Sequence, residues 1–270
     1  ALQHPREVYS ALMSAAAASL AHGAKNERFV GAKQCVYFGV LHTWGRDLTF
    51  HPHAHFLVAG GGVDADGKWR SSRLSVFVPE QVLEAIFKKR LRTKLQQAGL
   101  LKQVPAALWR GRFVVNSKAI GNGEHALKYL APYVTRGCVA NWRVSTCNEA
   151  DRIEDASLTL QVKRSGTKRY RGQRMSVTEF IRRWLLHVLP CGFHRIRHYG
   201  FLNAHSKRSL EEVRLLIAIE QDRVHYLACT EQLVVPALSP SPMTCPECGG
   251  PMISTGYYPP LSNHPTRAPP

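Results

Sequence analysis

Acidic side chains are scarce in this sequence: its 270 residues hold 19 Asp and Glu against 36 Lys and Arg, a formal charge of +17. A surface of that sign favours a phosphate-rich partner and disfavours a neutral small metabolite as the sole ligand. Long apolar runs are missing as well. The uncharged run Leu48 to Val63 contains three His and three Gly, and no stretch approaches the roughly 18 consecutive apolar residues of a membrane span. A disulfide framework is not indicated, because seven Cys at irregular spacing is an odd count in a chain without secretory features, which suggests reduced thiols in a cytosol. An initiator Met is absent at Ala1, which reads as a fragment or a processed chain, and the stretch Ala11 to Ala24 lacks the flanks of a signal peptide. Internal repeats are absent. What is there, 44% hydrophobic and 20% charged residues, is the composition of a folded globular protein with size for one large domain or two ordinary ones.

Periodicity predicts a helix over 5–22, a strand over Cys35 to Leu41, and an antiparallel hairpin over Leu41 to Gly60 with its loop near Asp47, broken by Gly60, Gly61 and Gly62. Asp66 and Gly67 mark a further turn. Pro79 precedes a helix with an apolar stripe (Val82, Ile86, Leu91, Leu95) and a basic face, ending near Gly99. Arg112 to Val115 is a strand candidate, and a helix begins at Asn122 or Gly123. The pair Ser176 and Glu179 forms a capping box for a helix expected to bury Phe180, Ile181, Trp184, Leu185 and Val188 and to stop at Pro190; another helix opens with Ser209 and Glu212. From Pro236 onward the chain is rich in Pro, Ser and Gly, interrupted by Cys245-Pro-Glu-Cys248.

The strand His51-Pro-His-Ala-His55-Phe-Leu-Val carries the most informative chemistry. Residues two apart on a strand share a side, so His53 and His55 converge. Neutral imidazole is a common ligand for divalent metals, and two on one strand with a third ligand would hold an ion and leave positions open for substrate. His51 has the right parity but lies four residues from His55, roughly 13 Å along an extended strand. His42 is the better third candidate, since folding the hairpin about Asp47 and Leu48 brings it opposite His53. The plainer alternative is a strand of hydrogen-bonded imidazoles without a metal.

A second feature is Tyr129-Leu-Ala-Pro-Tyr133, two phenols four apart and therefore on one helical face. A phenol is a poor nucleophile at neutral pH, but beside a metal that polarises a phosphoryl oxygen it can attack phosphorus and form a phosphotyrosine link. Two such Tyr also occur as ordinary packing residues.

A His-hydrophobe-His strand followed by a helix with two Tyr four apart resembles the two-tyrosine HUH endonucleases, specifically the rolling-circle transposases of bacterial insertion sequences related to Helitrons. Leu41-His-Thr-Trp-Gly-Arg-Asp-Leu48 resembles the first motif of that family, and Phe180 to Leu202 resembles a long stretch of the insertion-sequence-ninety-one type. The resemblance spans roughly residues 30 to 215. It implies an α+β fold, an HUH core with a central antiparallel sheet flanked by helices and the His strand in the middle, followed by a basic helical C-terminal extension. The corresponding division is 1–29 as the remnant of a longer N-terminal region, 30–150 as the nuclease core, 151–235 as the basic DNA-binding extension and 236–270 as the tail.

The implied activity is metal-dependent nicking and rejoining of single-stranded DNA at transposon ends and target, with Mg or Mn, leaving the 5′ phosphate on a Tyr. His53, His55 and His42 would hold the metal and Tyr129 and Tyr133 would be the nucleophiles. Three departures qualify this. Pro132 sits between the two Tyr at an interior helical position. The Cys-rich zinc-binding segment usual ahead of the first helix is not in this chain. The pair Cys245 and Cys248 supplies half of a tetrahedral Zn site, to be completed by the missing segment, by Cys229 or by His264, or stands as a knuckle without metal. A truncated transposase remnant that only binds DNA is the alternative reading. A cupin-like metalloenzyme is disfavoured by the absence of a Glu after the His motif.

Between Gln161 and Arg208 there are 12 Lys and Arg against the single acid Glu179, interleaved with Tyr170, Trp184, Phe193, Tyr199 and Phe201. Cations that track phosphates with aromatics that stack bases suit single strands. The residues expected to contact DNA are Lys128, Arg136, Arg182, Arg183, Arg195, Arg197 and Tyr199, with Trp184 expected in the core.

Overall fold

A computed structural model describes residues 2–73, 75–121, 125, 128, 131, 134, 137–148, 152–163, 167 and 169–221. Helix α1 (Pro5–Ala24) starts with proline in its first turn, where the missing N–H costs nothing. Strands β1 (Gln34–Trp44) and β2 (Phe50–Val63) form the long hairpin expected from the alternation, and β3 (Trp69–Ser71) follows the Asp66–Gly67 turn. Helix α2 (Glu80–Gln97) comes next, and His125, Lys128, Ala131 and Val134 are helical positions further on. Strands β4 (Val144–Asn148), β5 (Ser157–Lys163) and β6 (Tyr170–Ser176) lead into helix α3 (Val177–Leu185), then β7 (Ile196–Tyr199) and helix α4 (Leu210–Glu220). The fold is α+β, with one antiparallel sheet in the order β3-β2-β1-β7 and a second in the order β4-β5-β6. No helix among the described residues is long and apolar enough to cross a membrane.

The hairpin has two unlike faces. Leu41 pairs with Ala54 on one, and with Phe56 this face packs against Tyr9 and Met13 of α1. Tyr37, on the same parity, donates its hydroxyl proton to the Ala17 carbonyl of α1 at 2.9 Å. His42, His53 and His55 occupy the other parity, which the alternation of a strand turns to the opposite side. Gly39 is required where it stands: a Cβ there would lie 2.6 Å from the Phe56 ring.

Several local expectations are corrected. Gly60, Gly61 and Gly62 do not break β2, which runs on to Val63. A Cβ on Gly61 or Gly62 would meet the carbonyl oxygens of Arg70 and Gln34 at 2.5 and 2.4 Å, so these glycines admit close backbones on either side. Arg112 to Val115 is not a strand: Phe113 N–H donates to a carboxylate oxygen of Glu84 at 2.9 Å, and just beyond the segment Ser117 N–H donates to Glu80 at 2.6 Å. Helix α3 ends at Leu185, short of Pro190, and only Phe180 of its expected core residues packs inward. Ile181, Trp184, Leu185 and Val188 are exposed. The Ser176 hydroxyl does accept from Glu179 N–H, but the Glu179 carboxylate turns to Arg182 and Arg183, so the capping box is half made.

The expected division at residue 150 falls between β4 and β5, which pair with each other, and the expected helical extension carries β7, which pairs with β1 beside the His motif. Residues 1–221 form one compact unit. The tail from residue 236, with Cys245 and Cys248, lies outside the described residues.

The two sheets meet at the hairpin tip. Leu48, with a left-handed φ of 61°, is fully buried among Leu158, Leu160 and Val162 of β5. Three side chains hold the same turn: Arg183 donates to the Asp47 carbonyl, Arg143 to that of Arg46, and His187 to that of Leu48. A left-handed leucine is uncommon, and burying its side chain offsets the backbone strain.

Candidate metal centre on the hairpin

The antiparallel register pairs His42 with His53 and Val40 with His55. The candidate ligand atoms of His42, His53 and His55 consequently all lie within 4.8 Å of one another, and this is the one cluster of three such ligands among the described residues. The ring centroids of His42 are 5.5 Å from His53 and 4.9 Å from His55. His51 is outside the cluster. Its ring sits 5.0 Å from that of His53, while its carbonyl accepts a 2.7 Å hydrogen bond from His53 Nδ1. That bond fixes the tautomer, leaving Nε2 of His53 as the lone-pair donor to an ion.

Electrostatics favour the same state. Burial pushes the His53 pKa below its ordinary value, opposed by the hydrogen bond to His51. Burial, reinforced by His42 and His53, pushes His55 down to about 4. Imidazoles that stay neutral near pH 7 keep their lone pairs for coordination, so the donor set fits a divalent cation.

A support stack stands behind His42. Trp44 lies against its ring at 4.5 Å with 17° between the planes, and His187 approaches Trp44 at 6.1 Å. His187 Nε2–H donates to Leu48 at 3.1 Å, so Nδ1 accepts from the Thr43 hydroxyl at 3.3 Å. The sequence reading missed His187, whose only local signal is its place after an amphipathic helix.

The residues expected to contact DNA fall into two sets. Arg182 is exposed on α3, paired with Glu179 at 2.6 Å, and Lys128 is exposed at a helical position. Arg183, Arg195, Arg197 and Tyr199 are partly buried and engage protein groups. Arg183 reaches Glu179 and Asp47. The Arg195 guanidinium donates to the Val134 carbonyl and lies 6.0 Å from the Trp44 ring; that of Arg197 donates to Ser10 and lies over Phe193. Tyr199 stacks on Tyr37 at 5.1 Å, with its pKa raised by burial. Trp184, expected in the core, is exposed. Tyr129, Tyr133, Arg136, Cys245 and Cys248 lie outside the described residues.

Comparison with known proteins agrees in kind. The model of the Y2_Tnp family, described as "Putative transposase", matches residues 37–209. The chain is similar to "Putative transposase y4qJ" of Sinorhizobium fredii (strain NBRC 101917 / NGR234), 35% identical over 242 residues, covering 81% of this chain and 59% of that protein. It is also similar to "Transposase for insertion sequence element IS801" of Pseudomonas savastanoi pv. phaseolicola, 24% identical over 269 residues, covering 93% of this chain and 62% of that protein. The chain thus spans about three fifths of the length of these curated relatives. No solved structure matches it.

Proposed function

We propose that this chain, which belongs to the Y2_Tnp family of transposases, is an HUH-type enzyme that nicks and rejoins single-stranded DNA through a phosphotyrosine link, as in rolling-circle transposition. The observation that carries the reading is the convergence of His42, His53 and His55, with ligand atoms within 4.8 Å, on a hairpin face turned away from α1. These three residues would hold the ion, Mg or Mn, which when bound supplies Lewis acidity toward a phosphoryl oxygen.

The remaining work belongs to side chains of the chain. The phenol oxygen of Tyr129 or Tyr133 attacks phosphorus, the bond from phosphorus to the 3′ oxygen breaks, the phenol proton is released and the departing 3′ oxygen takes one up. The 5′ phosphate stays on the tyrosine, and attack by a 3′ hydroxyl reverses the step to rejoin a strand. Val134 is tied by its carbonyl to Arg195, whose guanidinium lies 6.0 Å from the Trp44 ring that stacks on His42. Arg182 and Lys128 are cations on the surface, suited to phosphates along the strand. His53 is kept in one tautomer by His51, and His42 is kept in place by the Trp44 ring.

The test incubates the full chain and its Tyr129→Phe and Tyr133→Phe variants with Mn and labelled single-stranded DNA carrying an element end, then resolves the products on a denaturing gel. A covalent protein–DNA band that is lost in one or both variants is the expected result and identifies the nucleophile. A wild-type protein that binds the strand and forms no adduct overturns the reading in favour of a DNA-binding remnant.

A further inference from the structure

Sheet β4-β5-β6 buries one face, and its other face has an unusual composition. Leu158, Leu160 and Val162 are buried on the inner side of β5. Their alternates Ser157, Thr159, Gln161 and Lys163 share the outer side with the residues directly opposite on β6, which are Ser176, Arg174, Gly172 and Tyr170. The stretch from Ser157 to Ser176 contains six Lys and Arg and no Asp or Glu.

Two large aromatics stand at the Lys163 end. Trp142, from the short turn of helix (Asn141–Arg143) that precedes β4, is 63% exposed, and Tyr170 is 44% exposed. Their rings meet edge to face, with centroids 5.1 Å apart and planes at 80°. Tyr170 is directly opposite Lys163 in the ladder, and Arg174 projects from the same face, donating to the neutral hydroxyl of Ser157. Gly172, between Tyr170 and Arg174 on this face, has the Thr159 methyl group beside it, 2.8 Å from where a Cβ would stand. Glu154 and Asp155, on the loop before β5, lie at the Ser157 end of the strands, roughly 20 Å at strand spacing from Lys163, whereas Arg174 sits nearer that end.

We propose that this outer face is a second contact for single-stranded DNA, in which bases stack on Trp142 and Tyr170 while Lys163 and Arg174 hold adjacent phosphates. Exposed π-faces beside uncompensated cations suit unpaired bases, since a duplex hides its base faces and offers phosphates alone. The identification of the ligand as DNA rests on the transposase reading above; the site itself is separate from the His cluster. The four residues would hold a few nucleotides of a strand beyond those at the metal, which fits an enzyme that must keep cut ends from diffusing away.

The test is a titration of fluorescein-labelled oligo-dT with the full chain in EDTA, read by anisotropy. Trp142→Ala with Tyr170→Ala is expected to weaken binding about tenfold or more, whereas Trp142→Phe with Tyr170→Phe, which keeps the ring faces, stays within about twofold. Lys163→Gln with Arg174→Gln is expected to lower the slope of log affinity against log salt by about 1.4. An alanine pair that binds as the wild type does, or a phenylalanine pair that loses as much as the alanine pair, overturns the proposal. So does a duplex that competes as well as a single strand. Because no metal is present, these outcomes are independent of cleavage; failure of the nuclease reading appears separately, as absence of a Mn-dependent adduct.

Discussion

The hairpin β1–β2 and the sheet β4-β5-β6 are both antiparallel, both bury one apolar face, and differ in what they do with the other. The hairpin gathers three imidazoles, and burial of His53 and His55 lowers the pKa of both. The smaller sheet presents cations and aromatic rings with no acid between Ser157 and Ser176. The contrast separates two tasks: an ion site needs neutral donors in a partly dry place, while a strand-binding surface needs charge that stays in water. The two are joined at Leu48, where the hairpin tip is inserted under β5, so displacing the smaller sheet would loosen the turn between the two halves of the metal cluster.

The strongest way to sharpen this comparison is to disable one side only. Replacing His53 and His55 together by Ala should abolish Mn-dependent cleavage while oligo-dT binding in EDTA stays within about twofold of wild type, since phosphate contacts carry most non-specific affinity. Loss of both would show that the two surfaces are not separate.

Next in size is the joint itself. Leu160 is fully buried beneath Leu48, so Leu160→Ala should cost about 2–5 kcal/mol in urea unfolding. If the joint transmits order to the hairpin, the same variant at native temperature will also bind Mn more weakly; an unchanged Mn affinity would mean that the hairpin stands without its neighbour.

A smaller effect is expected from His187→Phe, which keeps the ring and removes both hydrogen bonds. Leaving the buried Leu48 carbonyl and Thr43 hydroxyl without these partners costs about 1–3 kcal/mol. As a positioning residue behind Trp44, His187 should alter Mn affinity more than affinity for oligo-dT; equal changes in both would reduce it to a general stabiliser.

A further effect concerns pH. His55 is depressed from its ordinary 6.5 to about 4, so between those values the unfolded chain binds a proton that the folded chain refuses. Stability from this group is therefore complete above pH 6.5 and is lost as pH falls toward 4. In EDTA the midpoint temperature should drop over that window, and His55→Gln should flatten the drop. A profile unchanged by His55→Gln would show that the group titrates normally in the folded state.

Local sequence carried a good deal of this protein. The His-x-His parity, the turn near Asp47 and the pairing of His42 with His53 follow from period-two alternation, because a strand has only two sides. The caps at Ser176 and Ser209 follow from hydroxyls that must serve the free amides of a first turn. The charge imbalance and the family resemblance pointed to nucleic acid and to a transposase, and the family match agrees.

What the sequence could not fix was which partner each side chain would find at long range. Gly60 to Gly62 read as a break because local rules do not know that β3 and the start of β1 approach there closely enough to exclude a Cβ. Trp184 read as core and Tyr199 as a DNA contact because helical spacing and basic neighbours are local signals; pairing of β7 with β1 put Tyr199 inside against Tyr37, and no described element covers the outer side of α3. His187 was invisible because its partners, Thr43 and Leu48, lie more than a hundred residues away in sequence. Periodicity decides which side of an element a residue occupies; only packing of one element on another decides whether that side meets water, a hydrogen-bond partner or an ion.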